Sequence, residues 1–229
     1  MMTLLTLDGV SMRYEGQRGA TRGEHSVLAG VDLALNAGER LGLIGRNGSG
    51  KSTLLRIMAK IFAPTAGVVR WAPEVSVSLL TLGLGFRTDL TGRENALLSC
   101  LLQGLARSDA KKAVPAIAEF CELGDFFDRP VYTYSAGMRA RLGFGSALVN
   151  RSQVILIDET LGVGDVVFRE KARAALLSEL HGDRAVVLVS HAEAQIQSLC
   201  TSAVLLGEGG VLSAGEPSAV LSDYAAHYS

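Results

Sequence analysis

Cysteine is scarce in this chain of 229 residues. Cys100, Cys121 and Cys200 are odd in number, far apart and free of Cys-x-x-Cys or Cys/His spacing. That pattern excludes a disulfide framework and a zinc ribbon, and it predicts buried free thiols in a reducing compartment. Long apolar runs are missing too. Val154 to Ile157 and Ala185 to Val189 are among the longest, far short of the roughly 20 residues that a membrane-spanning helix needs. The chain is therefore expected to form no transmembrane path of its own. Neither sign of charge is in excess: 22 Lys and Arg against 23 Asp and Glu leave a net charge of -1, which gives no whole-chain signature of nucleic-acid binding. The N-terminal MMTLLTLDGVSMRY has no basic segment leading a continuous apolar core, and Asp8 and Gly9 interrupt it early, so it does not read as a secretory signal.

What is present is alternation. Short β-rich runs (LLTLDGV, RLGLIG, QVILID, AVVLVS) alternate with helical patterns (KSTLLRIMAKI, ENALLSCLLQGLA, KARAALLSELH), which argues for an α/β fold with a mainly parallel sheet and crossover helices. SAVLLGEGGVLSAG reads as two strands around Gly207 to Gly210, with a final helix from about Pro217. The middle of the chain differs. Thr91-Gly92-Arg93-Glu94 is a capping box that opens a helix, Ser108 can cap another running through Leu123, and no strand pattern follows until Val154. Residues from about 87 to 150 therefore read as a helical insertion in an α/β body of about 1–86 and 151–229. The glycine-rich Glu15 to Ser26 reads as a solvated loop between the first two strands.

Gly45-Arg46-Asn47-Gly48-Ser49-Gly50-Lys51-Ser52 matches GxxxxGK[ST], and Thr53 follows. Glycines at these positions let backbone N–H groups wrap phosphates, the lysine reaches the β and γ oxygens, and the Ser52 hydroxyl can ligate Mg²⁺. The context agrees, because Arg40 to Ile44 reads as a strand and Ser52 to Ile61 as a helix whose positive N-terminus faces the phosphates. Val154 to Ile157 is a buried strand ending in Asp158 and Glu159. Asp158 is placed to hold Mg²⁺ through water, and Glu159 to orient or deprotonate an attacking water. Ala185 to Ser190 is a second apolar strand, ending at His191, which could reach the γ-phosphate side. His25, His181 and His227 read as structural.

In this order, these residues resemble the nucleotide-binding subunit of an ATP-binding cassette (ABC) transporter over essentially the whole chain. The resemblance implies one P-loop NTPase domain with a RecA-like body, an antiparallel β portion and the helical subdomain. It implies that Tyr14 stacks on adenine and that Gly45, Asn47, Gly48, Ser49, Gly50, Lys51, Ser52 and Thr53 form Walker A around ATP. Asp158 with Ser52 would hold Mg²⁺, Glu159 and His191 would be the catalytic glutamate and switch histidine, and LGVGD, ending at Asp165, would be the D-loop. YSAGM stands for the signature. Alone, Ser135 reads as an ordinary helix cap; in the family, Ser135, Ala136, Gly137 and Met138 would act on ATP held by a partner copy, in a homodimer that sandwiches two nucleotides head to tail.

One position departs from the family pattern. There is no Gln between Phe62 and Leu102, where the usual Q-loop carries one, and Thr81 stands where similar subunits have Glu, offering Mg²⁺ or the water a weaker oxygen than a carboxylate. LGLGFRTDLTGREN, TYSAGMRARLGF and DETLGVGDVVFREKA are similar to the branch that exports lipid-linked O-antigen, capsular or teichoic polymers. That similarity implies an ATPase on the cytoplasmic face of the inner membrane, peripheral to an integral-membrane permease, with a lipid-linked polysaccharide as cargo and no nucleic-acid partner. The chain is expected to lack the extra C-terminal carbohydrate-binding domain of some O-antigen exporters. The rival readings are an importer or a drug or lipid exporter subunit, and a soluble ABC ATPase outside transport, which would need coiled coils or tandem cassettes.

Overall fold

The computed structural model describes residues 2–18, 21–80, 86–148, 152–158, 166–179, 184–190 and 192–228, with the side chains of 15–18, 21–24, 80, 176–177 and 179 left aside. The described elements group into two compact units.

The first unit carries two sheets. One has the order β2-β1-β4, built from β1 (Thr3–Arg18), β2 (Thr21–Asn36) and β4 (Ala66–Trp71), all antiparallel. The other has the order β5-β6-β7-β3-β8-β9, built from β3 (Arg40–Ile44), β5 (Val77–Leu80), β6 (Val154–Asp158), β7 (Ala185–Val189), β8 (Ser202–Gly207) and β9 (Gly210–Gly215). In this sheet β6, β7, β3 and β8 run parallel, while β9 turns back antiparallel on β8. The unbroken apolar runs at these positions suit strands buried on both faces. Leu43, Leu156 and Val187 join Leu5, Leu7, Leu28 and Leu35 of the antiparallel sheet, and Leu54, Leu55 and Met58 of α1 (Lys51–Met58), in one core. Two further helices, α6 (Glu193–Leu199) and α7 (Pro217–Tyr228), complete the unit. The register sets Leu43 beside Val189 and Val189 beside Asp158. The carboxyl ends of three parallel strands are thereby level, the place where open α/β sheets bind ligands.

The second unit is helical: α2 (Gly92–Leu102), α3 (Arg107–Cys121), α4 (Ala136–Leu148) and α5 (Val166–Glu179), with short 3-10 segments at Gly124–Asp128 and Val131–Thr133. Its core holds Cys100, Val114, Ile117, Cys121, Phe127, Tyr134 and Leu142. The capping box is present at α2, where Glu94 N–H donates to Thr91 Oγ1 (3.2 Å) and Thr91 N–H donates to Glu94 Oε2 (2.8 Å).

Three expectations are corrected. The loop expected over Glu15 to Ser26 is ribbon over the described residues 15–18 and 21–26: β1 and β2 pair out to Arg18↔Thr21. Antiparallel pairing satisfies the backbone whatever the side chains' polarity, so a ribbon needs no apolar pattern. Ser108 does not cap α3, which starts after Ala106 with no side-chain cap and ends at Cys121, short of Leu123, where Glu122 turns left-handed (φ 52). Asp109 in the first turn complements the helix's positive end without one. Finally, the pattern KARAALLSELH, expected among the crossovers of the α/β body, overlaps from Lys171 to Glu179 with α5, which clusters with the helical unit. Phe168 packs edge-on against Phe120 (5.8 Å between centroids) and Phe144 (6.3 Å), and Lys171 Nζ donates to Phe120 O (2.9 Å). An apolar stripe follows the aromatic partners that cover it. No helix among the described residues is long and apolar enough to cross a membrane.

Candidate nucleotide site

The turn after β3 is built around glycines that no other residue can replace. Gly45 has φ 153, and a Cβ there would press on Leu206 O and stand 2.6 Å from Ser49 Oγ. Gly50 is left-handed (φ 93), and its Cβ would meet Leu28 Cδ2 at 2.7 Å and Val27 O at 2.8 Å. Only glycine combines this backbone with so close an approach. The turn delivers the chain into α1, whose N-cap Gly50 offers no side-chain bond, so the first N–H groups and the positive end of the helix dipole are left to an anion.

Lys51, the first residue of α1, is buried. Its Nζ donates to Gly45 O (2.7 Å) and Arg46 O (2.9 Å). Burial pulls the ammonium's pKa below the ordinary lysine value, and the negative charge of Asp158 opposes that shift. Among the described residues Asp158 is the carboxylate that acts on it, and a cation held in poor solvent is a site for further negative charge. Across from it, Ser52 Oγ donates to Asp158 Oδ1 (3.3 Å). This pairing of a hydroxyl with a carboxylate offers hard oxygens, the donor chemistry that fits Mg²⁺ alongside phosphates. Ser49 Oγ is buried in the same turn without a hydrogen-bond partner among the described residues. Together, Asn47, Gly48, Gly50, Lys51, Ser52, Thr53, Asp158 and Val189 line a pocket of about 330 Å³, which His25 and Val27 of β2 close on one side.

Tyr14 stands beside this pocket, its hydroxyl 3.4 Å from Thr53 Oγ1 and its ring edge-on to Phe62 (6.4 Å), but it is not among the lining residues. Thr81, Glu159, Asp165 and His191 lie outside the described residues. Next to the last of these, Ser190 is buried; its hydroxyl donates to Gln195 Oε1 (2.8 Å) and accepts from Ala192 N–H (3.1 Å), which ties the strand end to α6.

In the helical unit, Ser135 and Ala136 are exposed at the start of α4 and Gly137 is half-buried. Ser135 Oγ accepts from Met138 N–H (3.2 Å), leaving its own hydrogen available. The approach to Ser135 is braced: Tyr134 is buried and donates from its hydroxyl to Phe126 O (2.6 Å), and Arg139 donates to Tyr134 O (2.6 Å). A helix N-terminus with a free hydroxyl and no acidic residue in its first turn favours an incoming anion.

The sequence reading missed His25 and Val27 as lining residues. The sequence offered no strand spacing to find them by, because Glu15 to Ser26 reads as a loop and the β1–β2 register shifts at Val27.

Residues 28–162 match the family model described as ABC transporter. The chain is 39% identical over 199 residues to the O-antigen export system ATP-binding protein RfbB of Myxococcus xanthus, covering 87% of this chain and 45% of that one. It is 39% identical over 199 residues to the teichoic acids export ATP-binding protein TagH of Enterococcus faecalis, covering 87% and 44%. The chain thus spans less than half the length of these two relatives. Against the O-antigen export system ATP-binding protein RfbE of Yersinia enterocolitica it is 41% identical over 197 residues, covering 85% of this chain and 82% of the relative. Among solved structures, a dimeric post-hydrolysis ATP-binding cassette bound to ADP and Pi shares the fold, with a TM-score of 0.78 at 22% identity, covering 93% of this chain and 99% of that one. With the family model covering residues 28–162 and most of RfbE matched, this chain belongs to the ABC transporter family.

Proposed function

We propose that the chain is the ATP-hydrolysing subunit of an ABC exporter that moves a lipid-linked polysaccharide across the cytoplasmic membrane. In this reading it acts as a single ABC ATPase domain, dimerises with its own copy, and sits peripherally on the cytoplasmic face beneath an integral-membrane permease. The observation that carries the ATPase half is the buried Lys51 ammonium beside the Ser52–Asp158 pair at the mouth of α1.

Lys51 and the N–H groups from Gly48 to Ser52 bind the β and γ phosphates. Ser52 and Asp158 hold Mg²⁺, with Thr81 as a weaker outer oxygen. Mg²⁺ bound there would offset the negative charge of the phosphoryl oxygens. Glu159, next in chain after Asp158, takes a proton from the water whose oxygen attacks the γ phosphorus as the bond to the β–γ bridging oxygen breaks, giving ADP and phosphate. His191 contacts the γ-phosphate, Tyr14 flanks the nucleoside, and Asp165 belongs to the interface between copies. From the partner copy, Ser135 and Gly137, with Ala136 and Met138 in the same helix start, donate to the γ-phosphate, so the closed dimer exists only while that phosphate bridges two chains. Closure can drive a permease because the nucleotide favours one of two states by contacts it makes only there.

Glu159→Gln tests this part. It should abolish turnover, keep ATP binding and leave a dimer at millimolar ATP, whereas a variant that stays monomeric and hydrolyses normally contradicts it. The polysaccharide half rests on the O-antigen and teichoic acid export relatives and on LGLGFRTDLTGREN. Purification from native membrane should recover a permease with a lipid-linked glycan; a solute-binding protein in its place would point to an importer.

A further inference from the structure

Tyr14 and His25 are cross-strand partners in the β1–β2 ribbon, so their side chains leave the same face. Their surroundings differ. Tyr14 is held by the fold, its hydroxyl near Thr53 and its ring against Phe62. His25 is exposed and lines the phosphate pocket, and it also lines an adjoining pocket of about 1180 Å³ reached past Asn47 and Gly48. The phosphate pocket, about 330 Å³, is at the lower limit of small-molecule sites, roughly 300–1000 Å³. With Lys51, Ser52 and Asp158 fixing the phosphate end, the nucleoside has to extend to the rim. His25, Asn47 and Gly48 line both pockets, and of these His25 alone carries an aromatic ring; Val27, two residues along the same strand, supplies an apolar surface beside it.

We propose that His25 is a nucleotide-binding residue of this chain, whose imidazole, with Val27, forms the wall against which the base of the bound nucleotide packs beside Tyr14. This rests on the ATPase reading above. A flat imidazole stacks on a heteroaromatic ring, and such contacts with aromatic side chains are insensitive to which base is present. The wall therefore adds affinity for a nucleoside without choosing among bases.

Calorimetry with ATP and with inorganic triphosphate, both with Mg²⁺, separates a base contact from a phosphate contact. His25→Ala should weaken ATP binding about tenfold and leave triphosphate binding unchanged, and His25→Phe should restore the ATP affinity. Because His25 is exposed, neither substitution removes core packing, and retained triphosphate binding reports an intact cradle. Unchanged ATP affinity in His25→Ala, or equal losses for ATP and triphosphate, overturns the assignment. A wild-type chain that binds neither ligand, or a Lys51→Ala chain that binds both as well as wild type, overturns the ATPase reading and this one with it.

Discussion

Lys51 carries its charge into a place with little water, satisfied by two carbonyls of its own turn and facing Asp158. Removing the ammonium leaves the carboxylate and the carbonyls without their cation and takes away the group that meets the phosphates. Lys51→Ala should therefore lower ATPase kcat/KM by about 100-fold or more, measured against a circular-dichroism control for folding. At the opposite extreme are the thiols. Burial pushes Cys121 and Cys200 up to about 12 and raises Cys100, so very little thiolate exists near neutral pH. Iodoacetamide at pH 8 should label all three slowly in the native chain and rapidly in denaturant, as read by mass spectrometry. Single residues were legible where chemistry demands a fixed spacing. Gly45 to Thr53 read as a phosphate cradle from residue types and intervals alone, because few other arrangements use those types at those intervals. His25 was hidden for the opposite reason: its role comes from a cross-strand neighbour, and no local spacing announces it.

Helix α2 shows how much an element's end can depend on a few groups. Thr91→Ala removes the side-chain acceptor for Glu94 N–H and should lower stability by about 1 kcal/mol in a denaturant titration. Hydrogen bonds from Thr91, the backbone N–H first and the hydroxyl second, hold the Glu94 carboxyl below its ordinary pKa. A depressed carboxylate stabilises the fold fully above its unfolded pKa and loses that contribution as pH falls through the folded pKa. The melting-temperature gap between wild type and Glu94→Gln should thus be constant at neutral pH and close in acid; a gap that widens in acid would contradict the capping role. The box itself was readable from four letters because its partners are local. The ribbon from Glu15 to Ser26 and the allegiance of α5 were not. One depends on backbone pairing indifferent to side-chain pattern, the other on Phe120 and Phe144 arriving from distant sequence to cover Phe168.

At the scale of the whole molecule, the order of the sheet brings the end of β3, which leads into the Gly45–Lys51 turn, level with Asp158, while the proposed signature starts a helix in a separate unit. The α/β class and the helical insertion could be read from alternation alone, because parallel strands and crossover helices repeat along the chain. Which copy a helix start serves is not a property that one chain's pattern can express. Ser135 is exposed and caps its own helix by accepting from Met138 N–H, and the residue before it is braced by the Tyr134–Phe126 and Arg139–Tyr134 bonds. The most direct measurement is ATPase activity in a mixture of Lys51→Ala and Ser135→Arg chains. Each variant alone should be inactive, and their mixture should recover activity, because one site of each heterodimer then pairs an intact Lys51 with an intact Ser135. Full activity of the Ser135→Arg chain alone, or no recovery on mixing two folded and dimerising variants, would contradict a catalytic site shared between two copies.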